Sequence, residues 1–237
     1  MSLVKIPLIC ILTLTYNAMF TPPNPLPAKE DLVERTQIEW ISGRKFTLPM
    51  LRLGQTLLSA VEIVAIIASN NPSSSASQKI LSLTFFEGKD PGKLQLHPLS
   101  YLAAFLWLSG YAMRMRTFRD LGQFFHFHVS VQKDHQLITS GLYTYVRHPS
   151  YSGIILADLG FCLWHGTRGS WVRESQLLDS AGGIVALSIF VAMFMLPGPA
   201  LTLSRMSKED EALRRKFGKK WDTWANKVPY RLIPGVY

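Results

Sequence analysis

Five apolar stretches, Ile6–Phe20, Pro49–Ser69, Pro98–Met113, Pro149–His165 and Ala181–Leu203, constrain this chain more than any other feature. A helix needs roughly 20 mostly apolar residues to cross a bilayer, and these stretches come close to that or reach it with a few flanking residues. Charged residues make up 17% of the chain against 48% hydrophobic ones, low for a soluble domain. The pattern predicts an all-α integral membrane protein with about five transmembrane helices. Glu62 and Asp158 fall inside the stretches, where an acid is costly unless it is paired, turned inward or wetted.

Basic residues give the expected orientation. Of the 25 lysines and arginines, 18 lie in segments 21–48, 114–148 and 204–237 and 6 in 1–5, 70–97 and 166–180. Because Lys and Arg are retained on the cytoplasmic side, the C-terminus is expected to be cytoplasmic and the N-terminus outside. The net charge of +9 follows these boundaries instead of forming one basic domain, which points to anionic lipid and away from nucleic acid. The residues around Asn17–Thr21 suit signal cleavage poorly, so an uncleaved first span is expected. Cys10 and Cys162 fall in spans and are expected as buried thiols. His126, His128 and His135 have no cysteine nearby, so no metal site is expected.

The chain divides at about residue 93. Segment 1–93 holds two predicted spans, a proline-rich linker at 21–30 and a serine-rich loop from Asn70 to Ser77; segment 94–237 holds three spans and a tail. Pro197-Gly198-Pro199 must kink or break the fifth span. Irregular backbone at that depth is tolerated only against protein or a cavity, which makes this span a candidate wall for a lipid tail.

Most of the chemistry is concentrated in Gly141-Leu-Tyr-Thr-Tyr-Val-Arg-His-Pro-Ser-Tyr-Ser-Gly153. Pro149 biases His148 toward extended backbone and is well suited to open a helix, so a helix is expected to start there. Its first amides and the positive end of its dipole would receive an anion. Arg147 and His148 flank that pole, and Tyr143, Tyr145 and Tyr151 offer ring faces that attract a cation. A ligand with both a carboxylate and a positive centre would match; an ordinary loop with interfacial tyrosines is the plainer account of the same residues.

The tail is the second signal. Ser207-Lys-Glu-Asp210 has the spacing of a capping box, so a helix is expected to begin there. Leu213, Phe217, Trp221, Trp224 and Val228 recur at three- and four-residue intervals, with Arg214, Arg215, Lys216, Lys219 and Lys220 on the remainder. This predicts a cytoplasmic amphipathic C-terminal helix, ended by Pro229, lying on the membrane or against the core. Arg205 and Glu209, four residues apart, sit at the junction between the fifth span and this helix.

Two ordered blocks, His135 to Gly153 and Arg205-x-x-x-Glu209 followed by Phe217-Gly218, Val228-Pro229 and Ile233-Pro234, resemble the isoprenylcysteine carboxyl methyltransferase family. The resemblance runs from about His97 to Tyr237. It implies methyl transfer from S-adenosylmethionine to the C-terminal carboxylate of a prenylated cysteine in CaaX-type proteins, at the endoplasmic reticulum membrane. Carried onto this chain, it implies a cofactor pocket of His135, Gln136, Leu137, Ile138, Tyr143, His148, Pro149, Ser150, Tyr151 and Glu209. It gives Arg205 the substrate carboxylate, and Arg205 and Glu209 the catalytic roles. Trp221 and Trp224 stand where the family usually has tyrosines. The loop between His128 and His135 is short, leaving Gln132 to supply any polar contact from it. Phospholipid amine N-methylation, nicotinamide-dependent reduction and non-catalytic lipid binding are the competing readings.

Overall fold

The structure is a computed structural model that describes residues 2–33, 44–85, 90–190 and 197–237. Its helices are α1 (Lys5–Met19), α2 (Arg44–Ser69), α3 (Ser75–Thr84), α4 (Pro98–Leu121), α5 (Pro149–Gly166), α6 (Ala181–Phe190), α7 (Pro197–Phe217) and α8 (Lys219–Lys227). The fold is all-helical, with no strand among the described residues; an isolated bridge pairs Leu32 with Ser130.

Proline placement accounts for two helix starts. Pro98 and Pro149 each open a helix after a residue in non-helical backbone, His97 and His148, as the ring's fixed φ and missing N–H favour. Elsewhere the structure moves expected boundaries. α3 begins at Ser75, so the serine-rich loop is shorter than the sequence suggests. α4 continues two turns beyond Met113. α7 runs unbroken through Ser207, so no helix starts there; the helix break lies instead at Gly218, whose φ of 53° favours glycine. α6 is described to Phe190 and α7 from Pro197, while residues 191–196 of the expected fifth span lie outside the described residues. Among the described residues one helical segment, Thr47–Ser69, is long and apolar enough to cross a membrane; Lys5–Met19 is shorter.

α4 and α5 make the closest pairing. On α4 the buried positions Ala103, Trp107, Gly110, Arg114 and Thr117 recur every three or four residues, and α5 answers with Gly153, Ala157, Gly160 and Trp164. A Cβ on Gly110 would lie 2.4 Å from the Gly153 carbonyl oxygen, and one on Gly160 would lie 2.5 Å from the Trp107 nitrogen. The two backbones therefore touch, as small residues permit in membrane bundles. Gly110→Val is expected to cost stability at the top of the about 1–3 kcal/mol range for overpacking. Thermal unfolding in detergent checks this against Gly166→Ala, where an added methyl meets nothing within 4 Å.

α1 packs across this pair. Tyr16 meets Trp107 at 5.4 Å and Phe161 at 5.5 Å between ring centroids, forming an aromatic centre where three helices converge. At the other end of α1, Lys5 pairs with Glu62 of α2, donates to the Gly169 carbonyl (2.7 Å) and lies over Trp164. Both ions are 1% exposed. The pairing answers the cost of Glu62 in an apolar helix. Cys10 and Cys162 are exposed, contrary to expectation: the inward stripe of α1 is Lys5, Ile9, Leu12, Tyr16 and Met19, and that of α5 is its small-residue face, so both thiols point outward.

Candidate functional site

A cavity runs between α1, α2, α4, α5, α7 and the segment from Phe124 to Ile138. Every residue assigned to the site by the resemblance lines it except Pro149: His135, Gln136, Leu137, Ile138, Tyr143, His148, Ser150, Tyr151, Arg205 and Glu209. Pro149 opens α5 and is itself buried. Tyr145, the third nearby ring, is 66% exposed and outside the cavity. Gln132 does not line it either; its amide meets the His126 ring at 2.7 Å.

The polar end is organised by two consecutive acids of α7. Glu209 accepts a hydrogen bond from the Tyr151 hydroxyl (3.0 Å) and lies 3.9 Å from His148 Nδ1. Asp210 faces three cationic or imidazole groups: His148 Nε2 at 3.0 Å, Arg147 Nη2 at 3.4 Å and Arg231 Nε at 3.4 Å. The His148 ring stacks on Tyr151 at 5.6 Å between centroids. The imidazole is thus held between an acid that lines the cavity and one that anchors it from behind. In the first turn of α5 the Tyr151 and Ser152 amides donate to the His148 carbonyl, and the side chains of Tyr151 and His148 at this end meet the protein's own Glu209 and Asp210.

The tail completes the frame. The amides of Arg147 and His148 donate to the carbonyls of Tyr230 and Arg231, each at 2.9 Å, and Ser152 Oγ donates to the Leu232 carbonyl at 2.6 Å. The apolar stripe of the C-terminal segment packs as a group. Trp221, Trp224 and Val228 cluster with Tyr143 and touch Leu137 and Ile138, and Trp224 Nε1 donates to the Tyr143 carbonyl at 3.2 Å. The aromatics so placed fix the loops that carry the cavity wall. Burial first, then the Glu209 carboxylate, pushes the Tyr143 hydroxyl well above its ordinary range, so it stays a protonated donor.

His135 sits between the rings of Phe124 (4.8 Å) and Phe217 (6.0 Å). Burial is the main cause lowering its pKa below 6.5, with Glu209 opposing and Lys216 and His126 assisting. The unfolded chain takes up this proton near pH 6.5 while the folded one resists it. Stability is therefore expected to fall as pH drops below about 6.5 and to level off below the depressed folded value. Unfolding measured from pH 8 to 5 should show this slope in the native protein and lose it in His135→Phe.

Two participants escape sequence reading. Arg114, expected as a cytoplasmic loop charge, is 4% exposed inside α4. It donates to the Met19 carbonyl (2.8 Å) and to Ser150 Oγ (2.7 Å) and lies over the rings of Phe118, Phe125 and Phe127. Its four-residue spacing from Gly110 on the inward face was the available signal. The other is the segment around Phe127, whose carbonyl accepts a hydrogen bond from Arg205 Nη2 at 2.7 Å. That bond ties α7 to the cavity's far wall. Beyond this polar end the lining turns apolar, through Tyr16, Phe20, Leu48, Leu51 and Ile154. The cavity can therefore hold a molecule with a charged head and an apolar body. Side chains of 189–201, where the proline break was expected to form a wall, lie outside the described residues; from Thr202 onward α7 does line the cavity.

The chain is similar to membrane sterol reductases over part of its length. It is 29% identical over 102 residues to the probable 7-dehydrocholesterol reductase of Acanthamoeba polyphaga mimivirus, covering 43% of this chain and 19% of that protein. It is 26% identical over 129 residues to the Delta(14)-sterol reductase ERG24B of Gibberella zeae, covering 46% and 26%. With the Delta(14)-sterol reductase TM7SF2 of Mus musculus it shares 30% over 102 residues, covering 43% and 20%. The chain thus spans about a quarter or less of these relatives. Residues 102–167, which contain the Arg147-His148-Pro149 block and most of the α4–α5 pair, match the isoprenylcysteine carboxyl methyltransferase (ICMT) family. The chain therefore carries an ICMT-family domain, in agreement with the resemblance that its sequence motifs suggest.

Proposed function

We propose that this protein transfers a methyl group from S-adenosylmethionine to the C-terminal carboxylate of a prenylated cysteine. In this reading it is a multi-pass protein of the endoplasmic reticulum membrane, with about five spans, a cytoplasmic C-terminus and residues 94–237 as the catalytic region. The observation that carries it is a single cavity lined by Glu209, Tyr151, His148 and Arg205 at one end and by apolar side chains at the other.

The donor set suits the cofactor. Glu209, which accepts from Tyr151 and acts on the Tyr143 hydroxyl, is a negative focus beside aromatic rings, where a positive centre is favoured. Bound there, S-adenosylmethionine supplies an electrophilic methyl group. The acceptor carboxylate is already ionised at neutral pH, so no strong base is required of the protein. Its tasks are positioning and exclusion of water. Arg205 can hold a carboxylate through its planar fork, and the apolar arm can take the prenyl tail. His148→Ala is expected to weaken S-adenosylmethionine binding about tenfold, the loss of roughly one good polar contact; calorimetry checks it.

The sterol-reductase relatives favour a second reading, hydride transfer from a nicotinamide cofactor to a sterol. Such a cofactor's diphosphate would call for cationic side chains turned toward it. Of the three arginines that line the cavity, Arg114 is engaged by Met19 and Ser150 and Arg147 by Asp210, so these two already have partners. The deciding experiment incubates purified protein with labelled S-adenosylmethionine and N-acetyl-S-farnesyl-cysteine, with a phospholipid as competitor. A parallel reaction contains NADPH and a Δ14-sterol. Base-labile label on the farnesyl-cysteine is the expected outcome. Label on the phospholipid alone, or NADPH oxidation without methyl ester, would overturn the proposal.

A further inference from the structure

Asp158 lines the same cavity, away from the residues given cofactor or carboxylate roles. It shares one face of α5 with Ser150 and Ile154, which also line the cavity at intervals of four residues. At 1.5 Å per residue it lies about 12 Å along the helix from Ser150. The lining on this side includes Tyr16, Phe20 and Leu51. Among the described residues Asp158 receives no hydrogen bond and forms no ion pair; Arg114 is the charge that acts on it. Tyr16 also lines this arm, within electrostatic reach of Asp158, and its buried hydroxyl has no hydrogen-bond partner among the described residues.

An acid opening onto an apolar cavity is costly unless something supplies the missing donor. A purely hydrocarbon tail would leave both Asp158 and the Tyr16 hydroxyl unsatisfied. Arg114 already acts on the carboxylate as a cation, while the Tyr16 hydroxyl calls for a hydrogen-bonding partner and not for a second charge. A neutral hydroxyl meets both demands, donating to the carboxylate and accepting from the phenol.

We infer that the apolar arm of this cavity recognises a lipid bearing a hydroxyl group on its hydrocarbon body, placed about 12 Å along α5 from Ser150 at the polar end, with Asp158 as the residue that selects it. This rests on the reading of the cavity as a lipid site. The hydroxyl could belong to an oxidised prenyl chain or to a sterol, and the chemistry at Asp158 is the same for both.

The test measures displacement of tritiated N-acetyl-S-farnesyl-cysteine from protein in nanodiscs. The competitors are the unlabelled compound, its analogue hydroxylated on the terminal isoprene unit, and cholesterol alongside its hydroxyl-free counterpart, cholestane. In the native protein at least one hydroxylated competitor is expected to bind about tenfold or more tighter than its hydroxyl-free partner, the effect of a hydrogen bond to a charged group. Asp158→Leu should abolish that preference while binding the plain farnesyl compound at least as well; Tyr16→Phe should reduce it. The arm that shows an Asp158-dependent preference identifies the source. A preference in neither arm, or one that survives Asp158→Leu, overturns the inference. Methyl transfer is assayed separately on the plain compound. Its failure with lipid binding intact would sink the methylation reading and leave the selection of a hydroxyl standing.

Discussion

Arg205→Ala is expected to lower kcat/KM for carboxyl methylation by about 10²-fold or more, the scale on which misplacing a reacting group acts. S-Adenosylmethionine affinity should stay within about twofold, because the Glu209 end is left in place. Arg205 is 6% exposed, and one of its amino groups is committed to the Phe127 carbonyl. The guanidinium therefore does two things: it braces the segment that forms the far wall, and it lines the cavity. Arg205→Lys separates these roles. Lysine keeps the charge but lacks the planar fork, so it cannot hold the Phe127 carbonyl and a carboxylate in the same geometry. An intermediate rate is expected for Lys, and rates with both variants at saturating cofactor provide the check. Native turnover in Arg205→Ala would remove this residue from the reaction.

The largest expected loss of stability comes from Asp210→Ala. Asp210 is 6% exposed and faces His148, Arg147 and Arg231. Its removal leaves a largely buried arginine without its counter-charge, a change that costs about 3–5 kcal/mol in comparable settings. Asp210→Asn keeps an acceptor for His148 and should cost less. The damage should spread to the tail, because Arg147 and His148 carry the amides that hold Tyr230 and Arg231. Faster proteolysis after Val228, together with a lowered unfolding temperature in detergent, is the expected signature. A variant that unfolds like the native protein would show that the charges are satisfied elsewhere.

The sequence revealed local rules and concealed long-range ones. Pro98 and Pro149 announce their helices because proline acts on its own backbone. The Leu213, Phe217, Trp221, Trp224 and Val228 stripe survives although Gly218 splits the helix carrying it, since burial depends on spacing more than on continuity. The capping signal at Ser207 fails for the opposite reason: α7 is already helical when it reaches that residue, so no terminus needs a cap. Arg114 reads as a boundary charge until α5 supplies Ser150 and the loop supplies three phenyl rings. Asp210 is masked by its neighbour: Ser207-Lys-Glu-Asp210 reads as a helix start, and nothing local tells that Arg147 and Arg231 will arrive from other segments. For Asp158 the sequence shows only a costly acid in a span, because only the assembled bundle reveals the open space beside it.

Contact between the main chains at Gly110, Gly153 and Gly160 leaves α4 and α5 no room to approach or roll over one another. They behave as a single rigid spar, and the cavity cannot dilate on that side. Accommodation of a bulky guest must come from the opposite wall, where α1 contributes Tyr16 and α2 contributes Leu48 and Leu51. Those two helices are fastened to each other through Lys5 and Glu62 and to the end of α5 through Gly169 and Trp164, so any yielding is confined to the stretch around Leu48 and Leu51, away from this knot.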